Sequence, residues 1–250
     1  MPAAASGLRL PPAALLNGAS LFLDFDGTLV EIEATPDAVV VDDALRLLLR
    51  RLAVCLDGRL ALVSGRSVAE LERLFGDLPF VVGGSHGLEL RWPDGTATSP
   101  PEITVLPPVV AAMHRLRDRW PGIVVEEKPY GVALHYRGAP EAEGACRALA
   151  AELADTSGLS LQAGKMVLEL RLRGADKGSA ITTLMAAPAL AGTAPVFVGD
   201  DDTDEAGFVA AAMLGGSGVL VGPARPTSAS YRLGGVAATR AWLAACVDAS

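Results

Sequence analysis

Leu21-Phe22-Leu23-Asp24-Phe25-Asp26-Gly27-Thr28-Leu29-Val30 decides how this chain is read. An apolar run delivers two carboxylates, two positions apart, into a glycine turn. A run of that kind, bounded by a turn signal, reads as a buried strand. It ends at Asp24, and Gly27 lets the backbone turn sharply away. Parallel α/β sheets bind ligands beyond the carboxyl ends of their strands, which puts Asp24 and Asp26 at the mouth of a crevice. Two close carboxylates repel, so a divalent cation or a shared proton has to stabilise them. Phosphoryl chemistry uses such a pair. One carboxylate attacks phosphorus and carries an aspartyl-phosphate, while the other gives a proton to the leaving oxygen and later takes one from water. The plainer alternative is two solvated acids in a βα turn.

Outward from this stretch, Asp42 or Asp43 caps a helix predicted over 44–53, after a break at Thr35-Pro36-Asp37. Leu60–Val63 reads as the next buried strand, running into Ser64-Gly65-Arg66-Ser67 and a helix over Val68–Phe75. A strand-end hydroxyl such as Ser64 can bond a phosphoryl oxygen; the alternative is an ordinary serine helix cap with an exposed Arg66. A short strand, a glycine turn through Gly83-Gly84-Ser85-His86-Gly87 and a second strand follow, with Pro93-Asp94-Gly95 as a hairpin turn. His86 either touches substrate or satisfies backbone groups in that turn. Pro195-Val196-Phe197-Val198 is another core strand, leading into Gly199-Asp200-Asp201-Asp202-Thr203-Asp204-Glu205. So many acids at one strand end call for a cation, and Mg²⁺ suits oxygen ligands beside a phosphate; the alternative is an acidic first helix turn favoured by the dipole. Asp176-Lys177-Gly178 opens a helix over 180–187, with Lys177 able to neutralise the attacking acid, or simply at the surface. Val219-Leu220-Val221-Gly222 reads as the last core strand and 238–247 as the last helix.

Between the two core segments lies a different pattern. Prolines at 100–101 and 107–108 mark an entry, and the order from there is helix (109–120), strand (123–128), strand (131–137), helix (141–155), strand (159–163), strand (166–171). That α-β-β-α-β-β order describes an antiparallel sheet with helices on one face, inserted as a cap. The expected division is core at 1–104, cap at 105–172 and core again at 173–250. A cap can exclude water and supply specificity. Glu126 and Lys128 share one strand face, Lys165 sits at a hairpin turn, and Glu169 lies on the strand after it. Carboxylates and ammonium groups on one face suit sugar hydroxyls; a solvated face of a half-buried sheet is the alternative.

The chain has 250 residues, 50% of them hydrophobic, enough for a core plus a smaller domain. Lys+Arg 21 against Asp+Glu 29 gives a net charge of −8, a poor match for nucleic acid or an anionic membrane surface. No apolar run approaches the roughly 20 residues of a membrane span. Residues 1–12 lack the pattern of a secretory signal and read as a loosely packed tail. Three scattered cysteines, Cys55, Cys146 and Cys246, suggest reduced thiols in a cytoplasmic protein. A monomer is the default.

The string Asp-Phe-Asp-Gly-Thr-Leu at 24–29 resembles the first motif of the haloacid dehalogenase superfamily, whose members are mostly phosphatases with an aspartate nucleophile and Mg²⁺. Ser64, Lys177 and Gly199-Asp200-Asp201 follow in the order of that superfamily's later motifs. A finer resemblance is to the trehalose-6-phosphate phosphatase family. It rests on Ser64-Gly65-Arg66, Gly84-Ser85-His86-Gly87, Glu126-Glu127-Lys128, Ala133-Leu134-His135-Tyr136-Arg137, Gly164-Lys165-Met166-Val167-Leu168-Glu169, Asp176-Lys177-Gly178 and the 197–205 segment. It runs from about residue 21 to 242, cap included. The 171–174 connection departs from it, lacking a proline that many relatives have there.

The resemblance implies a Rossmann-like parallel-sheet hydrolase core of the α/β class with an inserted α+β cap. It implies Asp24 as nucleophile and Asp26 as general acid and base, with Ser64, Lys177 and Arg66 on the transferring group. Mg²⁺ is expected on the Asp24 carboxylate, the Asp26 main-chain carbonyl and Asp200, with Asp201 or Asp204 direct or behind. His86, Glu126, Lys128, Lys165 and Glu169 are expected at the sugar, a small-molecule sugar phosphate being the partner. Another capped sugar-phosphate phosphatase or phosphomutase of the superfamily is the nearer rival, and a non-catalytic sugar-phosphate sensor the further one.

Overall fold

A computed structural model describes residues 7–33, 35, 38–100, 104–172, 174 and 176–249. The first half of the expected tail, Pro36-Asp37 of the expected break, Pro101 and Arg173 lie outside the described residues. Packing divides the chain into two compact units, Met1–Ser99 with Asp176–Ser250, and Pro100–Ala175.

In chain order the elements are β1 (Ser20–Leu23), α1 (Asp43–Cys55), β2 (Leu60–Val63), α2 (Val68–Phe75), β3 (Val81–Gly84), β4 (Glu89–Arg91) and β5 (Ala97–Thr98). The second unit supplies α3 (Leu106–Arg119), β6 (Val124–Lys128), β7 (Gly131–His135), α4 (Glu143–Ser157), β8 (Ser160–Gly164) and β9 (Val167–Arg171). The chain returns as α5 (Lys177–Met185), β10 (Pro195–Gly199), α6 (Glu205–Met213), β11 (Ser217–Val221), β12 (Tyr231–Leu233) and α7 (Val236–Asp248).

The first unit is built on an eight-stranded sheet in the order β12-β11-β10-β1-β2-β3-β4-β5. The six strands from β12 to β3 run parallel, and β4 and β5 add an antiparallel edge. Strand alternation sorts the side chains onto two faces. Leu21, Leu23, Leu60, Leu62, Val196 and Val198 pack with Leu45 and Leu49 of α1, Phe75 of α2 and Leu243 of α7. Phe22, Ala61, Val63, Phe197 and Leu220 point the other way, onto Ile181 and Leu184 of α5 and Phe208 and Ala211 of α6. Both faces are therefore covered, which is why these strands read as continuous apolar runs. The helices change face between β1 and β10, and a crevice opens at such a reversal, past the strand ends.

Local signals set the element limits. Asp42 caps α1, its carboxylate accepting from the Leu45 amide at 2.7 Å. Ser67 and Glu70 form a reciprocal capping box at α2, and Asp176 and Ser179 form another at α5.

Two expectations need correction. Val219–Gly222 is not the last core strand, because β12 pairs beyond β11. β12 has three residues and only Leu233 of them is buried, too short a segment to carry a periodicity. Nor is the described end of the tail loose. Arg9 forms a parallel bridge with Tyr231 and lies over its ring at 5.3 Å, and Pro11 and Leu16 are buried.

In the second unit, a four-stranded antiparallel sheet has the order β6-β7-β9-β8. Val132, Leu134, Leu168 and Leu170 on one face pack with Val109 and Met113 of α3 and Cys146 and Ala150 of α4. The helices lie on that face alone, as the alternation requires.

Candidate active site

Strands β1, β2, β3 and β10 end side by side, and the loops after β1 and β10 assemble a cluster of acids. Asp24 follows β1 directly, 4% exposed, its amide bonded to the Val198 carbonyl at 2.9 Å. The chain then turns at Gly27, whose φ is +80°; a Cβ there would stand 2.2 Å from Asp200 Oδ2. Only glycine lets the first motif pass this close to the acidic loop. Thr28 Oγ1 donates to Asp200 Oδ1 at 3.4 Å, a second tie between the two.

Lys177, at the first position of α5, is 3% exposed. Its Nζ donates to Asp24 Oδ1 at 2.7 Å and to Asp204 Oδ1 at 2.5 Å. The other oxygen of Asp204 accepts the amides of Asp200 and Asp201, at 2.8 and 2.9 Å. Asp204 thus has both oxygens engaged and no solvent exposure. Its work here is to fold the acidic loop and hold Lys177. Carboxylate oxygens of Asp24, Asp200 and Asp204 lie within 4.8 Å of one another. Asp201 turns elsewhere, capping its own turn through the Thr203 amide at 2.7 Å and hydroxyl at 2.6 Å.

Three carboxylates against one ammonium leave excess negative charge in a nearly dry site. Burial pushes Asp24 up to about 6, against the attraction of Lys177. Burial, with repulsion from Asp204 and Asp201, takes Asp200 to about 6. Burial and the Asp24 charge take Asp204 to about 7. For Lys177, burial alone would lower the value, but the Asp24 and Asp204 charges overcome it and hold the ammonium protonated. A divalent cation fits this charge deficit and this all-oxygen donor set.

Asp26 is held differently. Arg66 Nε and Nη2 clasp its two oxygens at 2.7 and 2.8 Å, and the guanidinium lies over the Phe25 ring at 5.5 Å. The expected phosphate helper therefore rests on the second acid. Ser64 is buried, its Oγ accepting the Arg66 amide at 3.1 Å. The loop after β3 is laced to this turn, with the Ser85 amide bonding the Arg66 carbonyl at 2.7 Å and the His86 amide the Ser64 carbonyl at 2.8 Å. Ser85 and His86 take left-handed φ of +50° and +58°, strained for side-chain-bearing residues. The His86 ring covers Gly65, where a Cβ would come within 2.9 Å of it. Glu89 holds the loop from β4, accepting the Val68 amide at 2.7 Å and the Ser85 hydroxyl at 3.3 Å.

In the second unit, the sheet register aligns Glu126, Ala133, Glu169 and Gln162 in one row, and Lys128, Gly131, Arg171 and Ser160 in a neighbouring row of the same face. This is the face without helices. Lys128 Nζ pairs with Glu169 Oε2 at 3.1 Å, and His135 Nε2 meets Glu126 Oε2 at 2.9 Å. Lys165 is exposed in the two-residue turn between β8 and β9.

Sequence reasoning missed Thr28, Glu89 and the partnership of Asp204 with Lys177. No local pattern marks them, since Thr28 meets Asp200, Glu89 meets the Val68 amide and Lys177 meets Asp204 across distant segments of the chain.

Comparison with known proteins agrees with this architecture. The trehalose-phosphatase family model matches residues 22–236. The chain is 42% identical over 228 residues to the trehalose-6-phosphate phosphatase of Escherichia coli strain K12, covering 89% of this chain and 84% of that one. The crystal structure of a trehalose-6-phosphate phosphatase related protein superposes with a TM-score of 0.79 at 26% identity, over 92% of this chain and 97% of that one. A haloacid dehalogenase-like hydrolase from Bacteroides thetaiotaomicron shares the fold, with a TM-score of 0.65 at 16% identity, over 90% and 98% of the chains. This chain belongs to the trehalose-phosphatase family, phosphoric monoester hydrolases built on the haloacid dehalogenase fold.

Proposed function

We propose that the protein hydrolyses trehalose 6-phosphate to trehalose and phosphate through a phosphorylated Asp24. The observation that carries this reading is a buried Asp24 held by Lys177, with Asp26 two residues on at the same strand end. Asp24 attacks phosphorus in line, and the bond from phosphorus to the sugar oxygen breaks. Asp26 gives its proton to that oxygen, then takes one from the water that attacks the aspartyl-phosphate. Ser64 and Lys177 hold the transferring group, Lys177 by opposing its charge. Arg66 orients Asp26. Asp24, Asp200 and the Asp26 carbonyl would hold Mg²⁺, with Asp204 behind them and Asp201 outside. Bound there, the cation neutralises charge that develops on the phosphoryl oxygens.

The second unit acts as the cap. Its polar sheet face, with Glu126, Lys128 and Glu169, and Lys165 at the turn, binds the sugar hydroxyls; His86 belongs to the first unit. Glu126→Gln or Lys128→Ala therefore lowers kcat/KM for trehalose 6-phosphate by at least about tenfold, the worth of one charge-assisted bond of roughly 1.5–3 kcal/mol. Hydrolysis of p-nitrophenyl phosphate, which has no sugar, changes little. Equal losses on both substrates would contradict the assignment. Phosphate release from trehalose 6-phosphate, glucose 6-phosphate and sucrose 6-phosphate, with and without Mg²⁺, tests the substrate itself.

The acid cluster sets a pH dependence. With Asp24 and Asp200 at about 6 and Asp204 at about 7, the metal-free fold binds protons more tightly than the unfolded chain. That contribution to stability is present below the ordinary carboxylate range and is lost as pH rises through 6 to 7. A cation competes with those protons. Mg²⁺ is thus expected to raise Tm more at pH about 8 than at pH about 5.5. An equal rise at both pH values, read by differential scanning calorimetry, would count against a cation among these acids.

A further inference from the structure

We propose that Arg225 is a positioning residue for the metal-binding acids, fixing the acidic loop so that Asp200 faces Asp24; this rests on the reading that the site takes Mg²⁺. Arg225 lies between β11 and β12, outside every motif that the sequence brings to notice. Its side chain is 21% exposed. Nη1 donates to Glu205 Oε1 at 2.5 Å and to the Pro226 carbonyl at 3.3 Å. Nη2 donates to the Asp201 carbonyl at 2.6 Å and reaches the Asp200 carbonyl at 3.5 Å. Asp202 Oδ1 stands 3.4 Å from Nη1. Glu205 closes the arrangement, its other oxygen accepting the Ser228 amide at 2.8 Å.

The acidic loop is consequently held from two sides. Asp204 binds the amides of Asp200 and Asp201, and Arg225 binds their carbonyls. With the backbone tied down before and after Asp200, its side chain is set beside Asp24 and Thr28. The fork also supplies positive charge to a segment carrying Asp200, Asp201, Asp202, Asp204 and Glu205. A lysine could supply the charge but not two rigid donor directions. Outer partners of this kind typically set metal affinity by about 10–100-fold.

The test is calorimetric titration of the protein with Mg²⁺ alone, for wild type, Arg225→Ala and Arg225→Lys, with Tm of each. Expected is a loss of Mg²⁺ affinity of at least about tenfold in Arg225→Ala, and a smaller loss in Arg225→Lys. The Mg²⁺ concentration for half-maximal activity should rise in step, while KM for the sugar phosphate at saturating Mg²⁺ stays near wild type. A merely structural arginine would lower Tm and leave the Mg²⁺ affinity of the folded protein unchanged, which would overturn the inference. If Arg225→Ala does not fold, Arg225→Lys decides by the same two measurements. Wild type that takes up no Mg²⁺ would overturn the metal reading and this inference with it; wild type and variants binding equally would overturn this inference alone.

Discussion

Asp24→Asn is expected to abolish phosphate release from trehalose 6-phosphate, with kcat falling on the order of 10⁴-fold or more. The amide keeps the shape of the side chain and an oxygen for the Lys177 ammonium, but it has no lone pair basic enough to attack phosphorus. The same variant should not be less stable than wild type in metal-free buffer at pH about 8. Burial makes the ionised Asp24 costly even beside Lys177, and asparagine removes that charge. Activity and thermal melts are to be read on one preparation. Full activity would remove Asp24 as nucleophile. A sharp loss of Tm would mean that the charge serves the fold rather than the reaction.

Lys177→Ala is expected to have the largest effect on stability. The ammonium is almost fully buried and bonds both Asp24 and Asp204. Its removal leaves two buried carboxylates facing each other, at a cost of about 3–5 kcal/mol, or a Tm lower by roughly 10 °C for a chain of this size. Activity is lost as well, since nothing then opposes charge on the transferring group. The deficit should shrink as pH is lowered from about 8 to 5.5. Protonating the two acids removes the repulsion that the lysine had offset. A melt unchanged by the substitution would contradict the role given to this contact.

The parts of the fold with strong local signals were legible from residues alone. Leu60–Val63 and Val68–Phe75 are bounded by a turn and by the Ser67 cap, and they form with those limits. Asp42 announces α1 in the same way. The second unit's alternation gave its order of elements, with ends shifted by a few residues where strands fray into turns. β12 escaped because three residues on a sheet edge carry no pattern, and its existence depends on β11 being there to pair with. The site divides similarly. Asp24, Ser64 and Asp200 were visible as polar residues at ends of apolar runs, and Lys177 only as a lone cation at the start of a helix. Arg66 was visible as a cation, but not its two-pronged hold on Asp26. Thr28, Glu89 and Arg225 became legible only when the sheet brought distant loops together.

The central claim is that Asp24 is phosphorylated during turnover. The most direct measurement mixes enzyme, Mg²⁺ and trehalose 6-phosphate, quenches within one turnover, reduces with borohydride and maps the peptides by mass spectrometry. An acyl phosphate on the side chain is reduced to an alcohol, so the account predicts homoserine at position 24 and unchanged aspartate at 26. Reduction at Asp26 instead, or no reduced residue while phosphate is being released, would contradict it.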